Sequence, residues 1–290
     1  MLDIRPLDQP VGALVTGWQP EETLDAVTRG QILSALRDHL VLVFRGHEQP
    51  SDQALVRFAS AFGPLIRGSE WFREQSALPE ILPVTNAVGE DGIPLGTGGS
   101  AELEWHADYS YVPKPGKESF LNAVELPANG PRTYFCSQYA ALESLPQEKV
   151  KRLRSLRAHH SITRYYDTEE NTDLSSGFSE KRRRDDRAGV ERPAIPEAEH
   201  PVVFRHPDTE RELLYVSKGA TRRILGMPRD ESNALLKELH LHSTRPEVVY
   251  AHEWEVGDFV VFDTLGALHR RDAWDSDERR VMRQLSTSVQ

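Results

Sequence analysis

Thiols and long apolar runs are scarce in this sequence. It has one cysteine, Cys136, which excludes an intramolecular disulfide and any metal cluster held by thiolates alone. No stretch approaches the roughly 18 consecutive apolar residues of a membrane span, and the first 30 residues do not combine a basic start with an apolar run. We therefore expect a cytoplasmic protein without a membrane partner, and any metal site must use histidine and carboxylate ligands.

Lysine and arginine are also outnumbered by aspartate and glutamate, 35 to 45. The formal net charge is −10, which argues against a general nucleic-acid binder, because such a protein needs a basic surface to replace the counterions of phosphates. The basic run Lys181–Arg184 is followed at once by Asp185 and Asp186, so we interpret it as a solvated loop. The expected partner is a small-molecule substrate, and assembly into a homo-oligomer is left open.

Short apolar runs separated by turn residues dominate the chain after Glu80. The predicted strands are Gly12–Gly17, Leu40–Phe44, Ile81–Thr85, Ser119–Val124, Arg132–Cys136, Leu213–Val216, Asp258–Phe262 and Arg283–Ser288. Apolar residues at helical spacing predict helical segments over Thr23–Asp38, Leu55–Phe62, Ala140–Leu156 and Asp230–His242; the third is punctuated by Pro146. Many short strands indicate a mainly β fold with flanking helices, of the β-sandwich or jelly-roll type.

Residues 165–197 form a polar, highly charged segment nearly free of large apolar groups. Such a segment buries too little apolar surface to offset the entropy lost on ordering. A loop this long inside a compact domain is typical of a lid or a disordered segment. We expect one domain over residues 1–290 with a mobile lid at 165–197.

A metal site is suggested by three residues from distant parts of the chain. His106 and Asp108 lie two residues apart, so in a strand both side chains point to one face. That triplet alone is weak evidence, because chance produces it often in a chain with 11 histidines. His269 follows the predicted strand Asp258–Phe262, and a late strand of a sandwich can fold back beside an early one. Two imidazoles and one carboxylate leave three open octahedral positions, as in the facial triad of non-haem Fe(II) oxygenases.

Arg280 offers an anchor for an anionic co-substrate near the start of the last predicted strand. A guanidinium binds a carboxylate through two parallel hydrogen bonds and stays charged at every working pH. On composition alone, a surface salt bridge is the favoured alternative.

These residues together resemble the taurine and phenoxyacetate dioxygenase (TauD/TfdA-like) family of Fe(II)- and 2-oxoglutarate-dependent oxygenases. The resemblance covers nearly the whole chain. The features that carry it are Leu40–Gly46, Phe58–Pro64, Trp105–Asp108, Gly130–Thr133, Leu214–Ser217 with Thr221 and Arg222, Trp254 with Gly257 and Asp258, and His269 followed by Arg280.

The resemblance implies a fold, a co-substrate and an activity. The fold is a double-stranded β-helix, a cupin-like jelly roll, with iron at its open end. His106, Asp108 and His269 match the metal ligands, while Arg280 and Thr133 match residues that bind 2-oxoglutarate. The implied reaction couples O2 and decarboxylation of 2-oxoglutarate to succinate and CO2 with oxidation of a substrate C–H bond. Related halogenases replace the carboxylate ligand with a small residue, so Asp108 favours hydroxylation over halogenation.

The substrate is expected to differ from taurine. Family members that act on sulfonates or small carboxylates carry a second arginine where this chain has Gln284, and the period of two in a strand turns Arg283 to the opposite face. Glu102 precedes the first ligand and would share its face if the strand extends that far; a solvated loop is the alternative. These positions predict a neutral or amine-bearing substrate.

Three further residues are candidate substrate contacts. Tyr109 and Tyr111 follow the metal ligands directly, and Asn86 lies in an early strand-like run. Packing within the β structure is the alternative for each of them.

Two other functions remain open at this point. The same oxidative chemistry can give desaturation, cyclisation or demethylation in natural-product biosynthesis, and sequence cannot separate these outcomes. A non-catalytic cupin-like binding protein is the remote alternative; its signature would be a missing ligand or co-substrate arginine, and neither is missing here.

Overall fold

The computed structural model describes residues 2–69, 77–90, 95–97, 99–162 and 195–290. The basic run Lys181–Arg184 and the predicted lid, apart from residues 195–197, lie outside these ranges. The helices are α1 (Ala26–His39), α2 (Asp52–Ser60), α3 (Gln138–Glu143), α4 (Gln147–Leu153) and α5 (Arg229–Ser243), with a 3₁₀ turn at Pro246–Val248. The strands are β1 (Asp3–Pro6), β2 (Ala13–Thr16), β3 (Val41–Phe44), β4 (Leu82–Thr85), β5 (Leu103–His106), β6 (Gly116–Glu125), β7 (Thr133–Ser137), β8 (Arg157–His160), β9 (Ala198–Pro201), β10 (Val203–Arg205), β11 (Glu212–Leu214), β12 (Thr221–Ile224), β13 (Val249–His252), β14 (Phe259–Asp263), β15 (Ala267–Arg271) and β16 (Val281–Ser288).

Two sheets form the body of the fold. The larger has seven strands in the order β1-β2-β3-β14-β6-β16-β4, and the smaller has four in the order β13-β7-β15-β5. Their strands pair antiparallel, except that β2 runs parallel to β3. One apolar core lies between the sheets and takes residues from both, among them Val260 and Met282 from the larger and Phe135 and Leu268 from the smaller. This arrangement confirms the predicted mainly β jelly roll.

The central strand of the larger sheet is buried on both faces, which explains why its sequence is a continuous apolar run. Side chains alternate along β14: Val260 and Phe262 enter the core between the sheets, whereas Phe259 and Val261 face the helical side. Each of these four residues is 0% exposed. The position of β14 at the centre of the sheet is therefore fixed by hydrophobic burial on two sides.

Helices α1 and α2 cover the outer face of the larger sheet. Asp25 and Ser51 cap them, each accepting a hydrogen bond from a backbone N–H three residues on. From α2, Phe58 packs edge-on against Trp18 at a ring-centroid distance of 5.0 Å and against Phe259 at 5.2 Å. These helices therefore cover the outer face of the larger sheet, and its inner face contributes to the site.

The helical pattern predicted over Ala140–Leu156 is divided at Pro146, the residue that punctuates it in the sequence. The segment forms two helices, α3 and α4, and Pro146 is the residue at the start of the second. Proline has no backbone N–H and disfavours helical dihedral angles at the residue before it, so a continuous helix is interrupted there. No helix in the described part of the chain has both the length and the apolar character needed to cross a bilayer.

Candidate metal centre and co-substrate cavity

The two candidate histidine ligands lie on paired strands of the smaller sheet. His106 ends β5, and the antiparallel register places His269 of β15 directly opposite it. Residues opposite each other in such a pair point to the same face, and the two imidazole rings lie 4.1 Å apart between centroids. Asp108 follows β5 by two residues, so the structure brings together the three residues that the sequence predicts.

The ligand atoms are close enough to share one metal ion. Oδ1 of Asp108 lies 3.4 Å from Nε2 of His106 and 3.8 Å from Nε2 of His269. Octahedral bonds of about 2.1 Å place adjacent ligand atoms about 3 Å apart, so the two distances from Asp108 each need to shorten by less than about 1 Å. Among the described residues, this is the group of histidines and carboxylates that fits a metal ion, with all ligand atoms within 4.8 Å of one another.

The protonation states of the three side chains suit a divalent cation. Nδ1 of His106 lies 2.7 Å from the carbonyl oxygen of Glu104, which can only accept, so Nδ1 carries the proton and Nε2 presents its lone pair. Burial lowers the pKa of His269 to about 3, which keeps this imidazole neutral. Burial alone would raise the pKa of Asp108, but His269 and His106 together hold it below its ordinary value. Two imidazole nitrogens and one carboxylate are the ligands of the predicted iron site.

Two hydrogen bonds fix the orientation of Asp108. Its backbone N–H donates to Oγ1 of Thr264 at 2.9 Å. Its Oδ2 accepts a bond of 2.8 Å from Nε2 of Gln284, which lies on β16. Oδ1 is therefore left facing the imidazoles. The sequence predicted Gln284 as a pocket residue; it does line the cavity, and its amide also holds a metal ligand.

A cavity of about 130 Å³ adjoins these ligands, and the two predicted co-substrate residues line it. Arg280 is only 3% exposed, its Nε has no hydrogen-bond partner in the described structure, and burial lowers its pKa to about 9. Oγ1 of Thr133 accepts a bond of 2.9 Å from the indole of Trp254, so the hydroxyl proton can point into the cavity. A buried cation next to a hydroxyl donor suits a carboxylate.

Arg271 is a cavity residue that the sequence reasoning missed. It lies on β15, two residues after His269, and is 6% exposed. Its Nη2 donates to the carbonyl oxygens of Gly99, at 3.0 Å, and of Ala101. Burial, and then repulsion by Arg280, holds the pKa of Arg271 well below its usual range. The signal was available, because alternate residues of a strand share a face.

The predicted substrate contacts divide into two groups. Tyr109 and Tyr111 line the cavity, and Tyr109 adopts a left-handed φ of 54°. Glu102 does not line it: its side chain is 59% exposed and lies 3.6 Å from the guanidinium of Arg270. Because β5 begins only at Leu103, strand alternation does not carry Glu102 onto the ligand face, and its exposed side chain agrees with the solvated-loop alternative; a contact between Glu102 and the substrate stays a prediction.

Asn86 also lies outside the cavity lining, which agrees with the alternative of a packing role, and it anchors the segment that leads into β16; a contact between Asn86 and the substrate stays a prediction. Its Oδ1 accepts a bond of 2.9 Å from the backbone N–H of Arg280. Its Nδ2 donates to the carbonyl oxygens of Glu278 at 2.9 Å and Ser276 at 3.2 Å. Asn86 thus positions the backbone of the co-substrate arginine.

Gly219 is a second residue whose role the sequence did not reveal. Its N–H donates to the carbonyl oxygen of Trp105 at 2.8 Å. A side chain at this position would bring Cβ within 2.9 Å of Cβ of His106. Only glycine allows the backbone to approach the metal-binding strand this closely.

Comparisons with known proteins agree with this geometry. The family model described as "Taurine catabolism dioxygenase TauD, TfdA family" matches residues 3–285. Pentalenolactone F synthase of Streptomyces arenae is 37% identical, over 98% of this chain and 94% of the relative. The alpha-ketoglutarate-dependent 2,4-dichlorophenoxyacetate dioxygenase of Cupriavidus pinatubonensis is 30% identical, over 98% of this chain and 96% of the relative.

A solved structure extends the similarity to three dimensions. The crystal structure of AAD-2 in complex with Mn(II) and N-oxalylglycine matches with a TM-score of 0.77 and 25% identity, over 100% of this chain and 98% of that one. The family model spans nearly the whole chain and the relatives match it over nearly their whole length. This chain therefore belongs to the TauD/TfdA family of dioxygenases.

Proposed function

We propose that the cavity binds Fe(II) and 2-oxoglutarate, and that the enzyme uses O2 to hydroxylate an unactivated C–H bond of a small molecule. The enzyme class is that of the family: the chain is a 2-oxoglutarate-dependent dioxygenase that uses a metal ion. The observation that carries the proposal is the combination, in one cavity, of the His106, Asp108 and His269 cluster with the buried Arg280.

The protein side chains hold and orient the reactants. His106, Asp108 and His269 would ligate the metal on one face and leave the opposite positions open. Bound iron and 2-oxoglutarate supply the oxidising chemistry, in which one O2 is consumed, 2-oxoglutarate becomes succinate and CO2, and one oxygen atom enters the substrate. Arg280 and Thr133 would hold the distal carboxylate of the co-substrate and so fix its keto acid end towards the metal.

Arg280 supports the co-substrate assignment on energetic grounds. A buried charge that lacks a counter-charge is costly, and a protein retains one where a ligand supplies the counter-charge. The guanidinium fork binds a carboxylate through two parallel bonds. A dicarboxylate that chelates the metal at one end and meets Arg280 at the other satisfies both parts of the cavity.

The substrate we propose is a natural-product intermediate rather than taurine. The similarity to pentalenolactone F synthase supports this class, and the cavity wall includes the apolar Leu82 and Val84 and the ring of Tyr111. At the position of the family's second arginine, Gln284 binds Asp108. Desaturation, cyclisation or demethylation would follow from the same oxidative chemistry, and product mass separates them: one added oxygen indicates hydroxylation, and loss of two hydrogens indicates desaturation.

The test is spectroscopic and catalytic. Anaerobic addition of Fe(II) and 2-oxoglutarate should produce the weak visible charge-transfer band of a metal-bound keto acid, and admission of air should release succinate. The Asp108→Ala variant should lose both signals. Absence of the band together with absence of succinate contradicts the proposal, whereas a band without succinate in the presence of candidate substrates would favour the non-catalytic binding protein.

Some expectations from the sequence remain proposals. We propose that residues 1–290 form one domain and that the enzyme works in the cytoplasm, without nucleic-acid or membrane partners. The net charge of −10 and the single cysteine support this assignment.

A further inference from the structure

The backbone of Arg280 and its side chain are held in different ways. Its backbone N–H donates to Oδ1 of Asn86 at 2.9 Å, and its carbonyl oxygen accepts from Oγ1 of Thr85 at 2.6 Å. Its Nε has no hydrogen-bond partner in the described structure. Burial lowers the pKa of Arg280 to about 9, and no described carboxylate opposes that shift. An arginine side chain has many rotamers, so the two backbone bonds do not by themselves orient the guanidinium.

The indole of Trp274 contacts this guanidinium. The guanidinium carbon of Arg280 lies over the ring of Trp274, 5.6 Å from its centroid. A cation within about 6 Å of an aromatic centroid is attracted by the electron-rich face of the ring, and the attraction is stronger where water is excluded. Arg280 is only 3% exposed. A ring face uses none of the N–H donors, so it orients the guanidinium and leaves these donors to a carboxylate.

Trp274 is itself fixed by two hydrogen bonds. Its indole Nε1–H donates to the carbonyl oxygen of Glu278 at 2.9 Å, and its backbone N–H donates to the carbonyl oxygen of Ser100 at 3.0 Å. The carbonyl oxygen of Glu278 also accepts from Nδ2 of Asn86 at 2.9 Å. The residue that fixes the backbone of Arg280 and the residue that contacts its side chain therefore share one anchor.

Arg271 contacts the same indole but has partners of its own. Its guanidinium carbon lies 4.2 Å from the ring centroid, its Nη2 donates to the carbonyl oxygens of Gly99 and Ala101, and Asp272 attracts it. The guanidinium groups of Arg271 and Arg280 repel each other. Since hydrogen bonds hold Arg271 as well as the ring does, loss of the ring should displace mainly the side chain of Arg280.

We propose that Trp274 is a positioning residue for the co-substrate: its ring holds the guanidinium of Arg280 where the N–H groups meet the distal carboxylate of 2-oxoglutarate. Trp274 is absent from the cavity lining, so it acts through Arg280 rather than by touching the co-substrate. This inference rests on the proposed 2-oxoglutarate-dependent function and adds to it a residue from the segment between β15 and β16.

The first experiment measures binding directly. The Mn(II)-loaded full-length protein is titrated by calorimetry with 2-oxoglutarate and with 2-oxovalerate, which keeps the keto acid end and replaces the distal carboxylate with a methyl group. Trp274→Leu should weaken 2-oxoglutarate binding by about 3- to 30-fold, the range expected for a cation–π contact in a desolvated site. Binding of 2-oxovalerate should change by less than about twofold. Trp274 is only half-buried, so this variant should still fold.

Trp274→Phe separates the ring from the hydrogen bond of its indole. It keeps an aromatic face and removes the Nε1 donor to Glu278. If the ring orients Arg280, this variant should recover most of the 2-oxoglutarate affinity lost in Trp274→Leu. Affinity as low as that of Trp274→Leu would show that the bond to Glu278 is what matters, and would overturn the inference.

The second experiment tests whether Trp274 acts through Arg280. In an Arg280→Met background, Trp274→Leu should change 2-oxoglutarate affinity by less than about twofold, because the group that it positions is gone. An effect of Trp274→Leu that persists at full size in this background would assign the effect to Arg271 or to the backbone, and the inference would fail.

Tyr134→Leu is the matched control. The ring of Tyr134 lies 3.9 Å from the guanidinium carbon of Arg270, and both residues are absent from the cavity lining. This variant thus removes the same kind of contact from the same sheet. It should leave the affinities for both keto acids unchanged, and a loss equal to that of Trp274→Leu would show a general loosening of the sheet and contradict the inference.

The remaining outcomes are also decisive. Unchanged 2-oxoglutarate affinity in Trp274→Leu overturns the inference. An equal loss for both keto acids also overturns it, because that result is expected if Trp274 only anchors the segment before β16. Failure of the wild-type protein to bind 2-oxoglutarate at all would instead refute the proposed function itself, and the inference with it.

Discussion

Removal of the Gln284 amide should weaken metal binding, although Gln284 is not itself a ligand. Its Nε2 donates to Oδ2 of Asp108 at 2.8 Å, and Gln284 is only 8% exposed. A hydrogen bond to a charged group contributes about 1.5–3 kcal/mol, and loss of a partner that orients a metal ligand costs about 10- to 100-fold in metal affinity. The two ranges agree, because about 1.4 kcal/mol corresponds to a factor of ten.

The variant for this test is Gln284→Met, which keeps an unbranched side chain and removes the donor. Mn(II) affinity, measured by calorimetry on the metal-free protein, should fall about 10- to 100-fold. Gln49→Met is the matched control, because Nε2 of Gln49 donates to Oδ1 of Asn122 at 2.9 Å and Gln49 is absent from the cavity lining. Unchanged Mn(II) affinity in Gln284→Met, or an equal loss in the control, would refute the reasoning that Gln284 orients the ligand.

Three further perturbations follow from the structure. Arg280→Met should raise the KM for 2-oxoglutarate at least about tenfold, through loss of a charge-assisted bond, while Mn(II) affinity stays unchanged; a parallel loss of metal would contradict this division of roles. Gly219→Ala would bring Cβ within 2.9 Å of His106 and should cost about 1–3 kcal/mol in urea unfolding, whereas Gly30→Ala, with nothing within 4 Å, should be neutral or stabilising. Burial lowers the pKa of His160 to about 3, so between about pH 6.5 and pH 3 the unfolded chain binds more protons than the folded chain. This residue alone should therefore lower the free energy of unfolding by about 2 kcal/mol from pH 6.5 to pH 5. His160→Phe should flatten that decline in urea unfolding, and an undiminished slope would show that other groups control it.

Most of the fold followed from short-range patterns in the sequence. The strands β3 and β14 were visible as apolar runs because both of their faces are buried, and α5 followed from helical spacing of apolar residues. The helical pattern over Ala140–Leu156 is punctuated by Pro146, and the structure accordingly has two helices there.

The site was predictable only where a rule of local geometry applied. His106 and Asp108 were found because alternate strand residues share a face. The same rule links His269 with Arg271, and it was not applied there. The rule does not reach Glu102, because that residue precedes the first residue of β5. Strand boundaries, rather than the rule itself, decided which of these inferences held.

Contacts between distant strands lay beyond such rules. The bond from Gln284 to Asp108 joins the last strand of the larger sheet to the loop after β5, and no spacing in the sequence predicts it. The sequence showed only that an expected arginine is absent from this position. In the structure, Gln284 serves the metal ligand, and a second guanidinium reaches the cavity from β15 at Arg271 instead. The absence of an arginine at 284 removes one anion-binding side chain from β16, but the substrate charge that the cavity accepts depends on its whole lining, which also includes Arg280.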